Sequence, residues 1–110
     1  MSMTLLTIEK HEGEGLFPLF SKGTAVRNLR EDLEYPLYPH WLACTIEGHE
    51  TFIPEIYVSD GALSVDYNPT ELVVEKDQKL TLIHIVFEWL YVKDETGREG
   101  WLPASKVISI

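Results

Sequence analysis

The feature of this sequence that most constrains its fold is an internal repeat built around tryptophan. One segment, HWLACTIEGHETFIPEIYVS, begins at His40, and a second, EWLYVKDETGREGWLPASKVIS, begins at Glu88. Both run from a Trp-Leu pair through a strand-like stretch and a Gly-containing turn to an aromatic-aliphatic-Pro triplet, a short link and a Val. The second copy has one extra residue, which falls in the turn. A repeat of this kind predicts two divergent copies of one small structural unit.

The repeat is made of short, strand-like runs. Glu47-Gly48 and residues 94–97 are hairpin signals between apolar, β-branched stretches, and residues 80–92 are long enough for two strands. No window of helical length has an apolar period of 3.6 with capping residues. The sequence therefore predicts an all-β fold, with residues 1–59 and 60–110 as the two copies and a boundary near residues 59–61.

Length and charge limit what such a chain can do. The chain has 110 residues and a net charge of −9, so each copy would be only marginally stable alone and close packing of the two is expected. Both halves are acidic, which disfavours nucleic-acid and anionic membrane partners and favours basic or neutral ones. We see no signal peptide and no apolar run that could span a membrane, so a soluble cytoplasmic protein is expected.

The second copy resembles the SH3 family. The run from Ala62-Leu63 to Asp66-Tyr67 is similar to the family's ALYDY opening with one extra residue, and residues 71–77 resemble its E-L-x-F-x-x-G segment. Trp89-Leu90 matches the family's tryptophan pair. The glycines and the apolar-apolar-Pro ending match at Gly97, Gly100, Trp101, Leu102, Pro103 and Val107. The first copy keeps Trp41, Phe52-Ile53-Pro54 and Tyr57-Val58, but has no ALYDY-like opening.

The resemblance implies two tandem SH3-like domains, and a small bacterial-type SH3-like protein is one form this could take. Each domain would be a five-stranded, strongly bent barrel with a short 3-10 turn before its last strand. The implied function is non-catalytic: an adaptor that binds a peptide or protein segment, proline-containing or basic, in an aromatic groove. A stiff polyproline II peptide loses little entropy on docking, and flat rings offer rigid contact area.

The resemblance also implies which side chains line the grooves. In copy one they are Trp41, Pro54 and Tyr57, with Glu12 and Glu14 as acidic partners for a basic ligand residue. In copy two they are Tyr67, Trp89 and Pro103. Copy two departs from the family pattern because Lys106 stands where the last tyrosine is expected and the loop between Tyr67 and Glu71 is short.

Other readings of the aromatic residues remain open at this point. The chain could be a structural or oligomerisation module whose grooves are buried in barrel–barrel or dimer contacts, or a glycan binder. The apolar run Ile85-Val86-Phe87 suggests contact with the other copy or a homodimer, unless it is simply core. Residues 34–39, EYPLYP, have a P-x-x-P spacing that could occupy a groove, or could form a proline-stiffened loop.

Nothing in the sequence points to catalysis, a metal or a cofactor. The single cysteine, Cys44, lies where the family has a small core residue, so we expect a buried, inert thiol. None of the four histidines pairs with another in a metal-ligand spacing, and there is no phosphate-binding or nucleophile-elbow motif. The histidines are His11, His40, His49 and His84.

Overall fold

The structure is a computed structural model, and it describes residues 3–13, 16–31 and 40–110. The described residues contain no α-helix and form ten β-strands and two 3-10 turns, which confirms the expected all-β class. The strands are β1 (Met3–Thr7), β2 (Arg27–Arg30), β3 (Trp41–Ile46), β4 (His49–Pro54), β5 (Val58–Ser59), β6 (Ala62–Leu63), β7 (Lys79–Val86), β8 (Trp89–Asp94), β9 (Glu99–Pro103) and β10 (Val107–Ser109).

The chain folds into two compact units that differ from the predicted spans 1–59 and 60–110. One unit combines Met1–Phe17 with Thr70–Ile110 and is called the split unit below. The other is Pro18–Pro69 and is called the continuous unit. Each contains five strands: β1 and β7–β10 in the split unit, and β2–β6 in the continuous unit.

The split unit holds a five-stranded antiparallel sheet in the order β10-β1-β7-β8-β9. The N-terminal strand β1 lies between two strands of the C-terminal half, with Leu5 opposite Leu80 on one side and Leu6 opposite Ile108 on the other. Apolar side chains that alternate along these strands form most of the core of the unit, and Leu72 and Val74, in the segment before β7, complete it. The core residues that the strands supply are Leu5, Leu80, Leu90, Val92 and Leu102.

Hydrogen bonds at the end of β1 explain why this strand joins the C-terminal half. The Thr7 side chain is fully buried, and its hydroxyl donates to the Glu75 carbonyl at 2.6 Å and accepts from the Gln78 N–H at 2.7 Å. The Thr7 backbone also donates to the Gln78 carbonyl and accepts from the Asp77 N–H. Because this buried hydroxyl both donates and accepts a hydrogen bond, it fixes this end of β1 against the turn that precedes β7.

The continuous unit contains a three-stranded sheet, β2-β3-β4, and a β5-β6 hairpin. Asp60 and Gly61 form the turn of the hairpin, and both have positive φ values, as tight hairpin turns require. Isolated bridges join Phe20 to Tyr67 and Ala25 to Ala62. The ALYDY-like segment, residues 62–67, is therefore paired with the first-half residues of this unit.

The local predictions along the repeat are confirmed. Glu47 and Gly48, both with positive φ, form the predicted turn between β3 and β4, and residues 95–98 separate β8 from β9. The 3-10 turns occupy Glu55–Tyr57 and Ala104–Lys106, each directly before a strand. These features depend on residues that are close together in the sequence.

Candidate functional site

Both units place a tryptophan opposite a proline across one hairpin. Trp41 faces Pro54 between β3 and β4, and Trp89 faces Pro103 between β8 and β9. The residue before each tryptophan then accepts a backbone hydrogen bond from the first residue of the 3-10 turn. The His40 carbonyl accepts from Glu55 at 2.8 Å in one unit, and the Glu88 carbonyl accepts from Ala104 at 2.9 Å in the other.

The two members of each pair differ in burial. Trp41 and Trp89 are half-buried, whereas Pro54 and Pro103 are buried and offer no surface to a ligand. The Nε1 atoms of both tryptophans are shielded from solvent. Donation of an indole hydrogen bond to a ligand would therefore require the tryptophan side chain to move.

The structure assigns some of the expected site residues to a different unit from the one that the repeat predicted. Glu12, expected beside Trp41, belongs to the split unit with Trp89 and Pro103. Tyr67, expected beside Trp89, belongs to the continuous unit with Trp41, Pro54 and Tyr57. The regrouping follows from the pairing of β1 with β7 and β10, which carries the residues after β1 into the split unit. Glu14 lies outside the described residues.

In the split unit, a histidine–glutamate pair lies beside Trp89. The His11 ring packs edge-on against the Trp89 ring, with centroids 6.2 Å apart and planes at 76°. Its Nε2 lies 2.9 Å from Glu71 Oε1, and the two side chains are only 12% and 21% exposed. Backbone hydrogen bonds of 3.0 Å in both directions between His11 and Val74 hold this part of the chain in place.

A close backbone approach brings His11 and Glu71 together. A Cβ on Gly13 would lie 2.5 Å from Glu71 Cβ and 2.8 Å from the Glu71 carbonyl oxygen, so only glycine fits there. The sequence reasoning missed both His11 and Glu71 as site residues. They are 60 positions apart, and no local spacing could have connected them.

Two ion pairs involve residues near His11 in the sequence. Lys10 Nζ lies 2.8 Å from Glu12 Oε1, and Lys106 Nζ lies 3.1 Å from Glu9 Oε2. The hydrogen bond from Lys10 lowers the pKa of Glu12. Because the Lys10–Glu12 pair is largely in water, it adds little to stability, and both members are accessible to a charged ligand.

In the continuous unit, two tyrosines pack beside each other in different states of burial. The Tyr57 and Tyr67 rings meet edge-on, with centroids 5.6 Å apart. Tyr67 is buried and its hydroxyl donates to the Phe52 carbonyl at 2.6 Å, so its role here is structural. Tyr57 is half-buried, and burial raises the pKa of its phenol.

The continuous unit also has an exposed histidine–glutamate pair next to Trp41 in the sequence. His40 Nδ1 lies 2.7 Å from Glu55 Oε1.

The cysteine and histidines form no shared site within the described ranges. Cys44 is a buried free thiol, and burial raises its pKa to about 11 against a smaller opposing effect of Arg30. Its burial is as predicted, and a thiol with so high a pKa is a poor nucleophile. No group of three or more His, Cys, Asp or Glu side chains in the described part of the chain could hold a metal ion.

Two further predictions concern residues 85–87 and residues 34–39. Of the three residues expected to form a homodimer contact, Ile85 and Phe87 are exposed and Val86 is buried; the homodimer itself stays a prediction. The P-x-x-P segment, residues 34–39, lies outside the described residues.

Comparisons with models of known families, with curated proteins and with solved structures found no match. Among the residues with described structure, no helix is long and apolar enough to cross a membrane.

Proposed function

We propose that this chain is a non-catalytic binding protein made of two SH3-like units that have exchanged their opening segments. The ALYDY-like segment 62–67 lies in the continuous unit, and β1 takes the opening place in the split unit. The number of strands in each unit and the 3-10 turn after each Trp-to-Pro hairpin support this likeness.

The proposed ligand is a proline-containing or basic segment of another protein, bound on the surface around Trp89. The observation that carries the proposal is the His11–Glu71 pair against the Trp89 ring. An aromatic surface offers a flat contact for a proline ring, and a neighbouring carboxylate attracts a lysine or arginine. The acidic net charge favours the approach of a basic segment.

The cost of the pair also argues for a use beyond folding. Partial burial of a carboxylate and an imidazole carries a desolvation penalty, and a well-packed apolar pair of similar volume would avoid it. The side chains nevertheless keep 12% and 21% exposure beside a half-buried indole. This combination is typical of a recognition surface that needs both an apolar face and a charge.

A structural or oligomerisation module is the second candidate. It is favoured by the burial of Pro54, Pro103 and both indole Nε1 atoms, because these groups cannot contact a ligand as they stand. In this case the aromatic surfaces would contribute to packing within the protein or its oligomer and would bind no peptide.

A peptide array followed by NMR titration separates the two candidates. The array holds polyproline-type peptides in matched versions with arginine, lysine or only neutral residues beside the prolines. The binding hypothesis predicts that basic versions bind, and that the ¹⁵N-labelled protein shows shifts centred on His11, Glu71 and Trp89. No binding by any peptide would contradict it and favour the structural module.

Matched variants locate the site. Glu71→Gln removes the charge while keeping the shape, and we expect it to weaken basic peptides about tenfold while sparing neutral ones. Glu95→Gln, an exposed change in the turn between β8 and β9, serves as the control for net charge. Equal effects of the two substitutions would show that only overall charge matters. Trp41→Ala tests the other tryptophan, and loss of binding there alone would move the site to the continuous unit.

A further inference from the structure

Strand β2 carries two exposed arginines at one edge of the three-stranded sheet of the continuous unit. Arg27 and Arg30 are two of the chain's three arginines. Neither forms an ion pair with an acidic side chain among the described residues, whereas the third, Arg98, is paired with Asp94 at 2.9 Å. In a chain with 18 acidic and 9 basic residues, these two guanidinium groups stand out as donors for an external anion.

A β-bulge in β2 places both arginines on the same face of the sheet. Arg27 lies opposite Thr45 on β3. Arg30 lies opposite Ala43, so the two residues between the arginines oppose the single residue between Thr45 and Ala43. Side chains three positions apart in a regular strand point to opposite faces, but this extra residue brings both arginines onto the face that Thr45 and Ala43 share. Asn28, inside the bulge, has a φ of 54°, a left-handed conformation that asparagine tolerates better than most residues.

Hydrogen bonds within the bulge orient these groups. Arg30 Nη1 donates to the Asn28 carbonyl at 2.9 Å, which uses one of the five guanidinium N–H groups and leaves the others for a ligand. Asn28 Nδ2 donates to Thr45 Oγ1 at 3.2 Å, on the same face of the sheet. A guanidinium that is already held in one direction loses less freedom when a ligand binds.

The same face also carries two aromatic side chains. Trp41 stands on β3 two positions before Ala43 and therefore shares its face, whereas the fully buried Cys44 belongs to the core face. Phe52, on β4, lies opposite Ala43. Both aromatic residues are half-buried. The face therefore combines two cations with an apolar border.

The spacing of these groups identifies the partner as an extended acidic segment. By their register with β3, Arg27 and Arg30 lie about 7 Å apart along the sheet, and Trp41 is one further step of about 7 Å along the same face. Carboxylates at positions i and i+2 of an extended peptide have the same separation, and the residue at i+4 would reach Trp41. Glu50 is the only acidic residue of the three strands, and it lies across β3 from Arg27, about 10 Å away between backbones.

We propose that this face of the continuous unit binds an extended acidic segment of another protein, with carboxylates at i and i+2 and an apolar residue at i+4. Arginine binds a carboxylate through two parallel N–H···O bonds, and the indole of Trp41 offers a flat apolar contact. The net charge of −9 repels a long polyanion such as a nucleic acid, whereas a short acidic segment contacts only the arginine-bearing face. The site lies in a different unit from Trp89 and prefers the opposite charge, so it does not rest on the proposed function.

Fluorescence anisotropy with three labelled peptides and the full chain tests the spacing. The first peptide has glutamates at i and i+2 and phenylalanine at i+4, the second has the same composition with adjacent glutamates, and the third has glutamine for both. Adjacent glutamates point to opposite sides of an extended peptide, so we expect the second peptide to bind at least about fivefold more weakly and the third at least about tenfold. Equal binding of the first two peptides, or no binding by any, would overturn the proposal and leave the bulge and the arginines as protection of a sheet edge.

Matched variants locate the binding site. Arg27→Gln and Arg30→Gln should each weaken the first peptide about fivefold to tenfold. Lys22→Gln removes the same charge from an exposed position of the same unit, and it should change the affinity less than about twofold. Equal effects of the three substitutions would overturn the site, and tighter binding of a single-stranded oligonucleotide of matched charge would overturn the choice of a protein partner. Binding of basic peptides at Trp89 should be unchanged in all three variants, so the two sites can fail separately.

Discussion

Asp94 shows how one carboxylate organises a turn. It is a buried residue at the end of β8, and its Oδ1 accepts from the Thr96 N–H at 2.9 Å, the Thr96 hydroxyl at 2.7 Å and the Arg98 N–H at 3.0 Å. Arg98 Nε donates to Oδ2 at 2.9 Å. Burial by itself raises the pKa of Asp94, but these hydrogen bonds outweigh it and hold the pKa below the ordinary value.

Replacement of Asp94 by Asn should destabilise the protein in a pH-dependent way. Because the folded-state pKa is lowered, the charge of Asp94 stabilises the fold above the unfolded-state value near 4, and this contribution is lost as the pH falls through the folded-state pKa. We expect Asp94→Asn to lower the free energy of unfolding by about 1–3 kcal/mol at pH 7. Urea unfolding between pH 2 and pH 7 should show that the difference in the free energy of unfolding between Asp94→Asn and the parent protein becomes smaller below pH 4.

Glu95→Gln is the control for this experiment, since Glu95 is exposed in the same turn and makes no hydrogen bond that involves its carboxylate among the described residues. If Asp94→Asn lowers the free energy of unfolding by the same amount at every pH, the hydrogen-bond geometry of this side chain, and not its charge, stabilises the turn.

At the scale of elements, strand β9 is held on two sides. It pairs with β8 along its length, and on the other side the Leu72 N–H donates to the Trp101 carbonyl at 3.1 Å while the Trp101 N–H donates to the Thr70 carbonyl at 2.9 Å. This close approach depends on Gly100, where a Cβ would lie 2.8 Å from Leu72 N and 2.9 Å from the Thr70 oxygen. The glycine that matched the SH3 pattern thus has a steric reason in this structure.

Gly100→Ala should therefore destabilise the protein, although alanine is the better strand residue by backbone entropy. Two of the three atoms that a Cβ would meet are backbone atoms and the third is Leu72 Cβ, at 2.9 Å, so relief requires β9 and the segment at Leu72 to separate. We expect a loss of about 1–3 kcal/mol in the free energy of unfolding, measured by urea denaturation. Glu99→Ala, an exposed substitution on the same strand, is the control, and a stabilised Gly100→Ala variant would contradict the close approach.

At the scale of the whole molecule, one unit is interrupted by the other in sequence. Phe17 is the last residue of the split unit before the continuous unit, and Thr70 is the first residue after it. These two residues are hydrogen-bonded to each other: the Thr70 hydroxyl accepts from the Phe17 N–H at 2.8 Å and donates to the Phe17 carbonyl at 3.1 Å. Prolines stand at both ends of the continuous unit, Pro18 and Pro69. The neighbouring positions of Phe17 and Thr70 mean that a short connection could replace the whole continuous unit.

We expect the split unit to fold alone when Asn-Gly replaces residues 18–69. Circular dichroism and urea unfolding should show a cooperative β-structure of marginal stability, as is normal for about 60 residues. A fragment of residues 60–110 is the matched comparison. It has a similar length but lacks β1, which lies between β7 and β10, and it should stay unfolded. The opposite result, a folded 60–110 fragment, would favour the division predicted from the repeat.

Features that depend on nearby residues were predictable from the sequence. The all-β class, the turn at Glu47-Gly48, the Trp-to-Pro hairpins and the burial of Cys44 all follow from patterns that extend over a few to about fifteen positions. Strand pairing within a hairpin is decided by a short turn and alternating side chains. The SH3 likeness, the peptide ligand and the residues that bind it stay predictions.

The tertiary structure alone decided which opening segment completes which sheet. Two copies of one unit, as the repeat predicts, would offer equivalent edges, so either β1 or residues 62–67 could pair beside either set of strands, and local pattern cannot distinguish them. The choice depends on contacts such as Leu5 with Leu80 and Thr7 with Gln78, about 70 positions apart. That choice separated Glu12 from Trp41 and Tyr67 from Trp89, and it brought His11 and Glu71 to Trp89.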